Sequence, residues 1–327
     1  MKYSDFFNYL FIDNNLRTKR RRNLSSDIFA YDENLELRAK YEIDLIEKYY
    51  AEDFPVVFII GVPRSGTTLF SQLMVSTLEV GYINKFVSRF WMCPIYGLVR
   101  FKMSNHKEEF DFDSFLGSND SSASPHEFGW FWQWWFLHQE HDQLGDKGLD
   151  QINWVELNKQ IMGLAGFFQA PLIFKNLNYT NFKIPSLHSN IRNARFIWIR
   201  RDEVFVIDSI LRSRVKQYGS KDIWWSIKPA NYEEQLTRPP LEQVISQVTE
   251  VTDGIKDGLN LIPKEYVQII DYSDLIESPE IIMKKISLWL NIEFRQDPSQ
   301  IVRGIRRPKP ILEENLKSIL KTLEHNK

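Results

Sequence analysis

A strand, a glycine-containing loop and a helix in immediate succession constrain the fold of this chain more than any other feature. Residues 56–60 are all apolar and either β-branched or aromatic, and Gly61 closes the run. Continuous apolar runs of this length are typical of a central parallel strand that is covered on both faces. A turn that contains Gly66 follows, and a helical pattern begins at Thr68. The segment therefore predicts one strand–loop–helix unit.

Further strands and helices alternate along the chain. A second strand is predicted at 195–199, followed by a turn at 200–202 and a helix over 204–215. Two more strands are predicted at 172–174 and 267–270, and two more helices at 33–50 and 281–290. In the helix at 33–50, five residues at helical spacing recur on one face: Leu35, Ala39, Ile43, Ile46 and Tyr50. The alternation favours a three-layer α/β/α fold with a mostly parallel central sheet.

Two long stretches interrupt this pattern, at about 104–124 and 219–240. The first is polar and rich in Ser, Asp and Asn, and the second contains three prolines. No internal repeat and no Pro- or Gly-rich linker divides the chain. We therefore predict a single domain over residues 1–327 with two long insertions.

The composition restricts the classes of function. The chain has 327 residues, a formal net charge of −2 and one cysteine, Cys93. A charge so close to zero provides no global basic field for a nucleic acid polymer, so anions must bind to local clusters of Lys and Arg. One cysteine excludes an intrachain disulfide, and no segment approaches the ~20 apolar residues of a membrane-spanning helix. We expect a cytoplasmic protein without a transmembrane segment.

The loop after the first strand has the chemistry of an anion site. Gly61 and Gly66 have the spacing of a nucleotide phosphate loop, whose backbone N–H groups converge on an anion at a helix N-terminus. In a Walker-type loop the residue after the second glycine is a lysine, whereas Thr67 stands here and the loop cation is Arg64. An ATP-dependent kinase would lose its main γ-phosphate contact. Three hydroxyls are further candidate ligands: Ser65, Thr67 and Thr68.

The loop at 63–68 resembles the 5′-phosphosulfate-binding loop of the sulfotransferases that use 3′-phosphoadenosine 5′-phosphosulfate (PAPS). The likeness is greatest to the branch with an arginine in the loop, which includes tyrosylprotein and many bacterial sulfotransferases, and it extends from about residue 55 to 310. It implies in-line transfer of a sulfuryl group from PAPS to a hydroxyl of a small molecule, lipid or carbohydrate. It also implies donor ligands in the loop: Arg64, Ser65, Gly66, Thr67 and Thr68. Arg64 is in addition a predicted catalytic cation; no metal is required, and a homodimer is compatible with the sequence.

Members of this family also hold the 3′-phosphate of PAPS. They do so with an arginine that closes a strand and a serine about eight residues later on the next helix. Arg201 and Ser209 stand at that separation here, and Arg200 is the alternative arginine. Glu203 replaces the proline that the family usually has after the Arg-Asp pair. Arg303, in a basic segment near the C-terminus, is a candidate for a further 3′-phosphate contact or simply an exposed residue.

Transfer to a hydroxyl also needs a base and a cation for the leaving oxygen. Lys175 ends a predicted strand and resembles the family's lysine near the bridging oxygen. Many members have a histidine two residues later, where this chain has Leu177, and tyrosylprotein enzymes have a glutamate near the position of residues 84–85, which are Asn and Lys here. Glu127 lies in a Pro-x-Glu segment that is frequent in related bacterial enzymes. We therefore predict Glu127 as the general base, with His126 as the alternative.

The sequence also allows other interpretations. The aromatic run at 128–136 indicates core packing, with an acceptor pocket as the alternative. An ATP-dependent P-loop kinase is disfavoured by Thr67 and by the lack of a clear Walker-B acid. A catalytically inactive nucleotide-binding protein stays possible because the family's usual base is absent.

Overall fold

The central sheet has five strands in the part of the chain that the structure describes. The structure is a computed structural model, and it describes residues 31–104, 121–136, 146–296, 311 and 313–325. The strands are β1 (Val56–Gly61), β2 (Gly81–Tyr82), β3 (Leu172–Phe174), β4 (Ala194–Arg200) and β5 (Val267–Asp271). Their order is β2-β3-β1-β4-β5, and every neighbouring pair is parallel. The predicted parallel sheet is confirmed.

Helices connect and cover these strands. Within the described ranges the α-helices are α1 (Tyr31–Leu37), α2 (Ile43–Tyr49), α3 (Thr67–Thr77), α4 (Pro94–Met103), α5 (Gly129–Trp135), α6 (Asp146–Leu149), α7 (Trp154–Phe168), α8 (Leu177–Thr180), α9 (Ile184–Asn190), α10 (Glu203–Tyr218), α11 (Tyr232–Gln235), α12 (Pro240–Asn260), α13 (Tyr272–Glu277), α14 (Pro279–Leu290) and α15 (Glu313–His325). A π-helical segment (Arg38–Glu42) joins α1 to α2, and 3₁₀ turns occur at Val87–Arg89 and Lys264–Tyr266. None of these helices is long and apolar enough to cross a membrane.

The strand β1 explains why the fold has three layers. All six of its residues are buried. Val56, Phe58 and Ile60 pack into one hydrophobic core, whereas Val57 and Ile59 pack into a second core on the opposite face of the sheet. Side chains alternate between the two faces of a strand, so a strand with two covered faces must be apolar throughout. The continuous apolar run in the sequence is the signature of this arrangement.

Most predicted elements are present with shifted ends. The four predicted strands correspond to β1, β3, β4 and β5, and the predicted helices at 204–215 and 281–290 lie within α10 and α14. The stretch at 219–240 is a connection that contains α11. Of the stretch at 104–124, residues 105–120 lie outside the described residues, and the single-domain organisation stays a prediction.

The apolar face expected for the helix at 33–50 is not its buried face. Leu35 and Ile43 are 46% and 50% exposed, whereas Asn34, Glu42 and Ile46 are buried. A π-helical turn contains more residues than an α-helical turn. Residues that are four apart therefore stay on one face of the helix through this segment. Up to residue 42 the buried line is therefore one residue earlier than the apolar pattern indicates, and the two coincide at Ile46. The buried line includes two polar side chains.

The two polar side chains on this line are satisfied by hydrogen bonds. The Asn34 amide donates to the carbonyl of Arg89 and accepts from the N–H of Met92, both at 3.2 Å. The Glu42 carboxylate accepts from the backbone N–H of residues 95 and 96 at 3.1 and 2.8 Å and from Gln160 Nε2 at 3.1 Å. These contacts fix the N-terminal helices against the first turn of α4. Burial raises the pKa of Glu42 to about 7, although the same backbone hydrogen bonds oppose the shift.

Glu42 should make the stability of the protein depend on pH. Its folded-state pKa is above its unfolded value, so the folded state binds more protons between about pH 4.5 and 7. The contribution of Glu42 to the free energy of unfolding therefore falls as pH rises through this window and is constant above it. Glu42→Gln should remove this contribution, so the stability of the variant relative to wild type should rise by roughly 2–3 kcal/mol from pH 5 to pH 8. Urea denaturation at several pH values measures the difference.

A matched control separates this effect from the general titration of surface carboxylates. Glu47→Gln removes an exposed carboxylate from α2 and should leave the pH profile of wild type unchanged. A Glu42→Gln profile parallel to that of wild type would show that Glu42 keeps an ordinary pKa in the folded protein.

Candidate active site

The candidate site lies at the carboxyl edge of the sheet. β1 is the central strand, with β3 on one side and β4 on the other. Because all strands are parallel, the loop after β1, Lys175 after β3, Arg201 after β4 and Tyr272 after β5 meet at the same edge. Ligands of open α/β sheets bind outside the carboxyl ends of the strands. The sheet therefore brings the predicted cations to the edge where the loop lies.

The loop between β1 and α3 requires glycine at position 66. Gly66 has a φ of 104°, in the left-handed region, and it immediately precedes the first residue of α3. A Cβ atom at this position would lie 2.3 Å from Cδ2 of Tyr272, so the aromatic ring occupies the space of any side chain. Gly66 is the N-cap of α3 and has no side chain that could cap the helix. The first backbone N–H groups of α3 and its dipole are thus available to an anion.

Asn181 fixes the beginning of this loop. Its Nδ2 donates to the carbonyl of Gly61 at 2.8 Å, and its Oδ1 accepts from the N–H of Gly61 at 3.3 Å. The side chain is fully buried, and it pairs with the peptide groups of Gly61 as a neighbouring strand would. Asn181 cannot be recognised from the sequence, because an asparagine 120 positions from its partner leaves no local pattern.

The hydroxyls of the loop differ in their surroundings. Ser65 is 1% exposed, and its Oγ has no hydrogen-bond partner among the described residues. Thr68 accepts a hydrogen bond at Oγ1 from Lys175 Nζ at 2.9 Å. A buried hydroxyl without a hydrogen-bond partner is costly unless a ligand or water satisfies it. The burial of the Ser65 hydroxyl therefore favours a ligand bound at the loop.

Arg64, Arg201 and Ser209 lie together. Nε of Arg64 donates to Oγ of Ser209 at 3.1 Å, and Nη1 of Arg201 donates to the carbonyl of Arg64 at 3.0 Å. The guanidinium of Arg201 also lies 4.4 Å from the ring centroid of Tyr272. The residues predicted for the two ends of the donor are therefore in direct contact, with the side chain of Arg64 turned toward Ser209.

Among the described residues, no carboxylate neutralises the charges of these two arginines. No carboxylate of the described residues lies within 4 Å of either guanidinium group, in contrast to the pairs formed by other arginines. Burial lowers the pKa of Arg64 and of Arg201, and the positive charge of Arg212 lowers both further. Two partly buried cations that repel one another form a strong binding site for an anion.

Arg200 has a different environment. Its Nε and Nη2 donate to the two carboxylate oxygens of Asp271 at 3.0 and 2.8 Å. The pair closes β4 against β5 on the surface, where both side chains are 45% exposed. Both of these donor groups are engaged in the bidentate pair, so the geometry favours Arg201 as the anion ligand. Arg303 lies outside the described residues.

Lys175 connects the loop to Glu127. Its Nζ donates to Thr68 and lies 2.7 Å from Oε1 of Glu127. Lys175 is 8% exposed, whereas the side chain of Glu127 is 47% exposed. The buried cation therefore lies between the loop and a carboxylate that an acceptor can approach from solvent.

The position of Glu127 is fixed by its backbone. Its carbonyl accepts a hydrogen bond from Nδ2 of Asn176 at 2.8 Å, and the Oδ1 of Asn176 accepts from the N–H of Tyr179. The next residue, Phe128, has a φ of 54°, a conformation that non-glycine residues adopt rarely and that clusters at functional sites. Asn176 thus joins the segment after β3 to the turn that begins α5.

The comparisons with known proteins identify the family. A model described as "Sulfotransferase family" matches residues 55–296. The chain belongs to the sulfotransferase family. The sulfotransferase STF1 from Mycobacterium tuberculosis H37Rv is 13% identical, with a TM-score of 0.54 over 94% of this chain and 86% of that chain. The sulfotransferase STF9 from Mycobacterium avium is 14% identical, with a TM-score of 0.50 over 89% and 72%. At this identity the two structures support the α/β fold alone, and no curated protein sequence matches significantly.

In this sulfotransferase, the segment with Glu127 lies beside residues 83–86. The N–H of Lys85 donates to the carbonyl of Ser124 at 3.0 Å, and the N–H of His126 donates to the carbonyl of Ile83 at 2.9 Å. Glu127 therefore lies in a segment that pairs with residues 83–86, a contact that its position in the sequence does not show.

His126 is less suited to act as a base than Glu127. Its Nδ1 accepts a hydrogen bond from the N–H of Phe128 at 3.0 Å. In a neutral imidazole with Nδ1 as acceptor, the proton is on Nε2, so neither nitrogen has a free lone pair. A carboxylate keeps lone pairs available even when it is paired with a lysine.

The side chains around this segment are mostly core. Leu177, two residues after Lys175, is 8% exposed and belongs to the larger hydrophobic core. In the aromatic run at 128–136, five rings are buried in the same core: Phe128, Phe131, Trp132, Trp135 and Phe136. The prediction of core packing is confirmed for these rings.

Proposed function

We propose that this sulfotransferase takes its sulfuryl group from PAPS and transfers it to a hydroxyl of a small molecule, lipid or carbohydrate. The observation that carries the proposal is the contact of Arg64 with Ser209 and Arg201. It joins a phosphate-type loop to a second group of anion ligands, as a nucleotide with both a 5′-phosphosulfate and a 3′-phosphate requires. A triphosphate would need a lysine after Gly66, where Thr67 stands.

The residues present fit such a donor. The loop with Arg64 and Gly66 and the hydroxyls of Ser65, Thr67 and Thr68 would hold the 5′ end, and Arg201 and Ser209 would hold the 3′-phosphate. Three features of the described residues support this fit: the Ser65 hydroxyl has no hydrogen-bond partner among them, no carboxylate among them neutralises Arg64 or Arg201, and the N-cap of α3 is a glycine. Each of them is costly or unsatisfied in the absence of an anion.

The roles in catalysis follow from charge and position. The bound donor would supply the sulfuryl group and a phosphate leaving group. Lys175, on Thr68 of the loop, would stabilise the negative charge that develops on the leaving oxygen. Glu127 would accept the proton of the acceptor hydroxyl, since its side chain is half exposed and adjoins Lys175.

Nucleotide binding tests the proposal. At about 100 times its Kd, adenosine 3′,5′-bisphosphate should raise the melting temperature by about 5 °C, because it binds the folded state alone. ADP and ATP should give less than half of this rise. A larger effect of ATP would favour a kinase, and no effect of any nucleotide would overturn the donor site. Release of adenosine 3′,5′-bisphosphate from PAPS with a panel of hydroxyl acceptors distinguishes an active enzyme from an inactive nucleotide-binding protein.

A further inference from the structure

The C-terminal helix contacts the candidate donor site through a buried carboxylate. Asp208 is 2% exposed and immediately precedes Ser209 on α10. Its Oδ1 accepts a hydrogen bond from Nδ2 of Asn315 on α15 at 3.2 Å. Its Oδ2 lies 2.6 Å from Nη2 of Arg212, one turn further along α10. One carboxylate thus joins α15 to an arginine on the helix that carries Ser209.

Arg212 adds a third positive charge to those of Arg64 and Arg201. It lies three residues after Ser209, so both side chains are on the same face of α10. Its side chain is 48% exposed even though it is paired with Asp208. Burial lowers the pKa of Arg64 and of Arg201, and the positive charge of Arg212 lowers both further. An anion between Arg64 and Arg201 would also be attracted by Arg212.

The helix α15 is held independently of this contact. Ile319 is 1% exposed and lies in the larger hydrophobic core, and Leu323 packs against the same core. Asn315 is four residues before Ile319 and therefore shares its face of the helix. The family match ends at residue 296, so α15 lies outside the matched part of the chain. A packed helix can hold an amide at a fixed place beside Asp208.

We propose that Arg212 is a third arginine of the 3′-phosphate subsite and that Asp208 and Asn315 position it. This inference rests on the proposed PAPS donor. A long arginine side chain loses rotamer freedom when it binds a phosphate, and an ion pair that orients it in advance reduces this loss. Asn315 occupies the second oxygen of Asp208, which keeps the carboxylate turned toward Arg212. Asp208 and Asn315 are positioning residues, and Arg212 is the ligand.

Calorimetric titrations with two nucleotides test the inference. Adenosine 3′,5′-bisphosphate carries the 3′-phosphate, and adenosine 5′-monophosphate lacks it. Asn315→Ala should weaken binding of the bisphosphate about fivefold and of the monophosphate less than about twofold. Arg212→Ala should weaken the bisphosphate about tenfold or more. Thr322→Ala is the matched control on α15, because Thr322 Oγ1 bonds the carbonyl of Ser318 within the same helix, and it should change neither affinity.

A double variant separates positioning from a general loss of structure. If Asn315 acts through Arg212, then Asn315→Ala should have no further effect on bisphosphate affinity in the Arg212→Ala background. Additive losses, or equal losses for both nucleotides, would overturn the inference. Asn315→Leu, which keeps the volume without the donor, provides the same comparison if the alanine variant melts early. A wild-type protein without preference for the bisphosphate would overturn the proposed donor instead.

Discussion

Replacing Arg64 with alanine should lower the rate of sulfuryl transfer, measured as kcat/KM for PAPS, by about 10²-fold or more. The guanidinium of Arg64 lies at the junction of the loop and Ser209, and no carboxylate of the described residues neutralises it. Its removal takes away a cation from the site without leaving an unpaired acid behind. We expect a higher KM for PAPS, because a loop cation contacts the bound donor. We also expect a lower kcat, because the same cation stabilises the negative charge that develops during transfer. Release of the bisphosphate product measures both.

Arg200→Ala is the control for this experiment. Arg200 is also an arginine at the carboxyl edge of the sheet, but its charge is paired with Asp271 on the surface. Exposed ion pairs contribute little, so its loss should change kcat/KM less than about threefold. Wild-type turnover in Arg64→Ala, or an equal loss in both variants, would exclude Arg64 as a donor ligand.

The sequence predicts the parts of the fold that depend on local patterns. β1 is buried on both faces of the sheet, and a strand in this position must be a continuous apolar run. Such a run can be recognised in the sequence without knowing which strands lie beside it. The loop follows directly from β1, so Gly61 and Gly66 are placed together with it. β2 has two residues, Gly81 and Tyr82, and pairs with β3. An element this short has no pattern of its own.

The sequence also predicts most of the candidate site, because the carboxyl ends of parallel strands lie at one edge of the sheet. Lys175 and Arg201 follow β3 and β4 and therefore lie near the loop. What the sequence does not provide is the set of contacts between distant residues. Arg64 and Ser209 are 145 positions apart, and Asn181 pairs with Gly61 over 120 positions. Such contacts depend on side-chain directions at the ends of elements, which periodicity does not determine.

The buried polar line on the N-terminal helices is the clearest failure of pattern reasoning. Apolar residues at helical spacing normally mark the buried face. Here Glu42 and Asn34 are buried because the first turn of α4 and the segment before it present backbone N–H groups that need acceptors. The requirement to satisfy a helix N-terminus therefore overrides the hydrophobic pattern. The need arises in another segment, so the sequence of the helix alone does not reveal it.

Glu127→Gln should lower kcat by about 10²-fold or more and leave donor binding intact. The glutamine has the same size and keeps the backbone contact between Glu127 and Asn176, but it cannot accept a proton from the acceptor hydroxyl. Lys175 loses its neutralising carboxylate while it keeps Thr68, so the site becomes more positive. Affinity for adenosine 3′,5′-bisphosphate should therefore be unchanged or slightly higher, which a disrupted site would not produce.

The contrast with His126 decides which residue is the base. His126→Gln should keep kcat within about threefold of wild type, because Nδ1 already accepts a hydrogen bond from Phe128 and a neutral ring has no lone pair left for the acceptor proton. Near-normal turnover in Glu127→Gln together with a large loss in His126→Gln would reverse the assignment. Large losses of kcat in both variants with intact nucleotide affinity would indicate that the turn at Phe128, which both residues flank, positions the acceptor. Only a selective loss in Glu127→Gln is consistent with Glu127 as the carboxylate base.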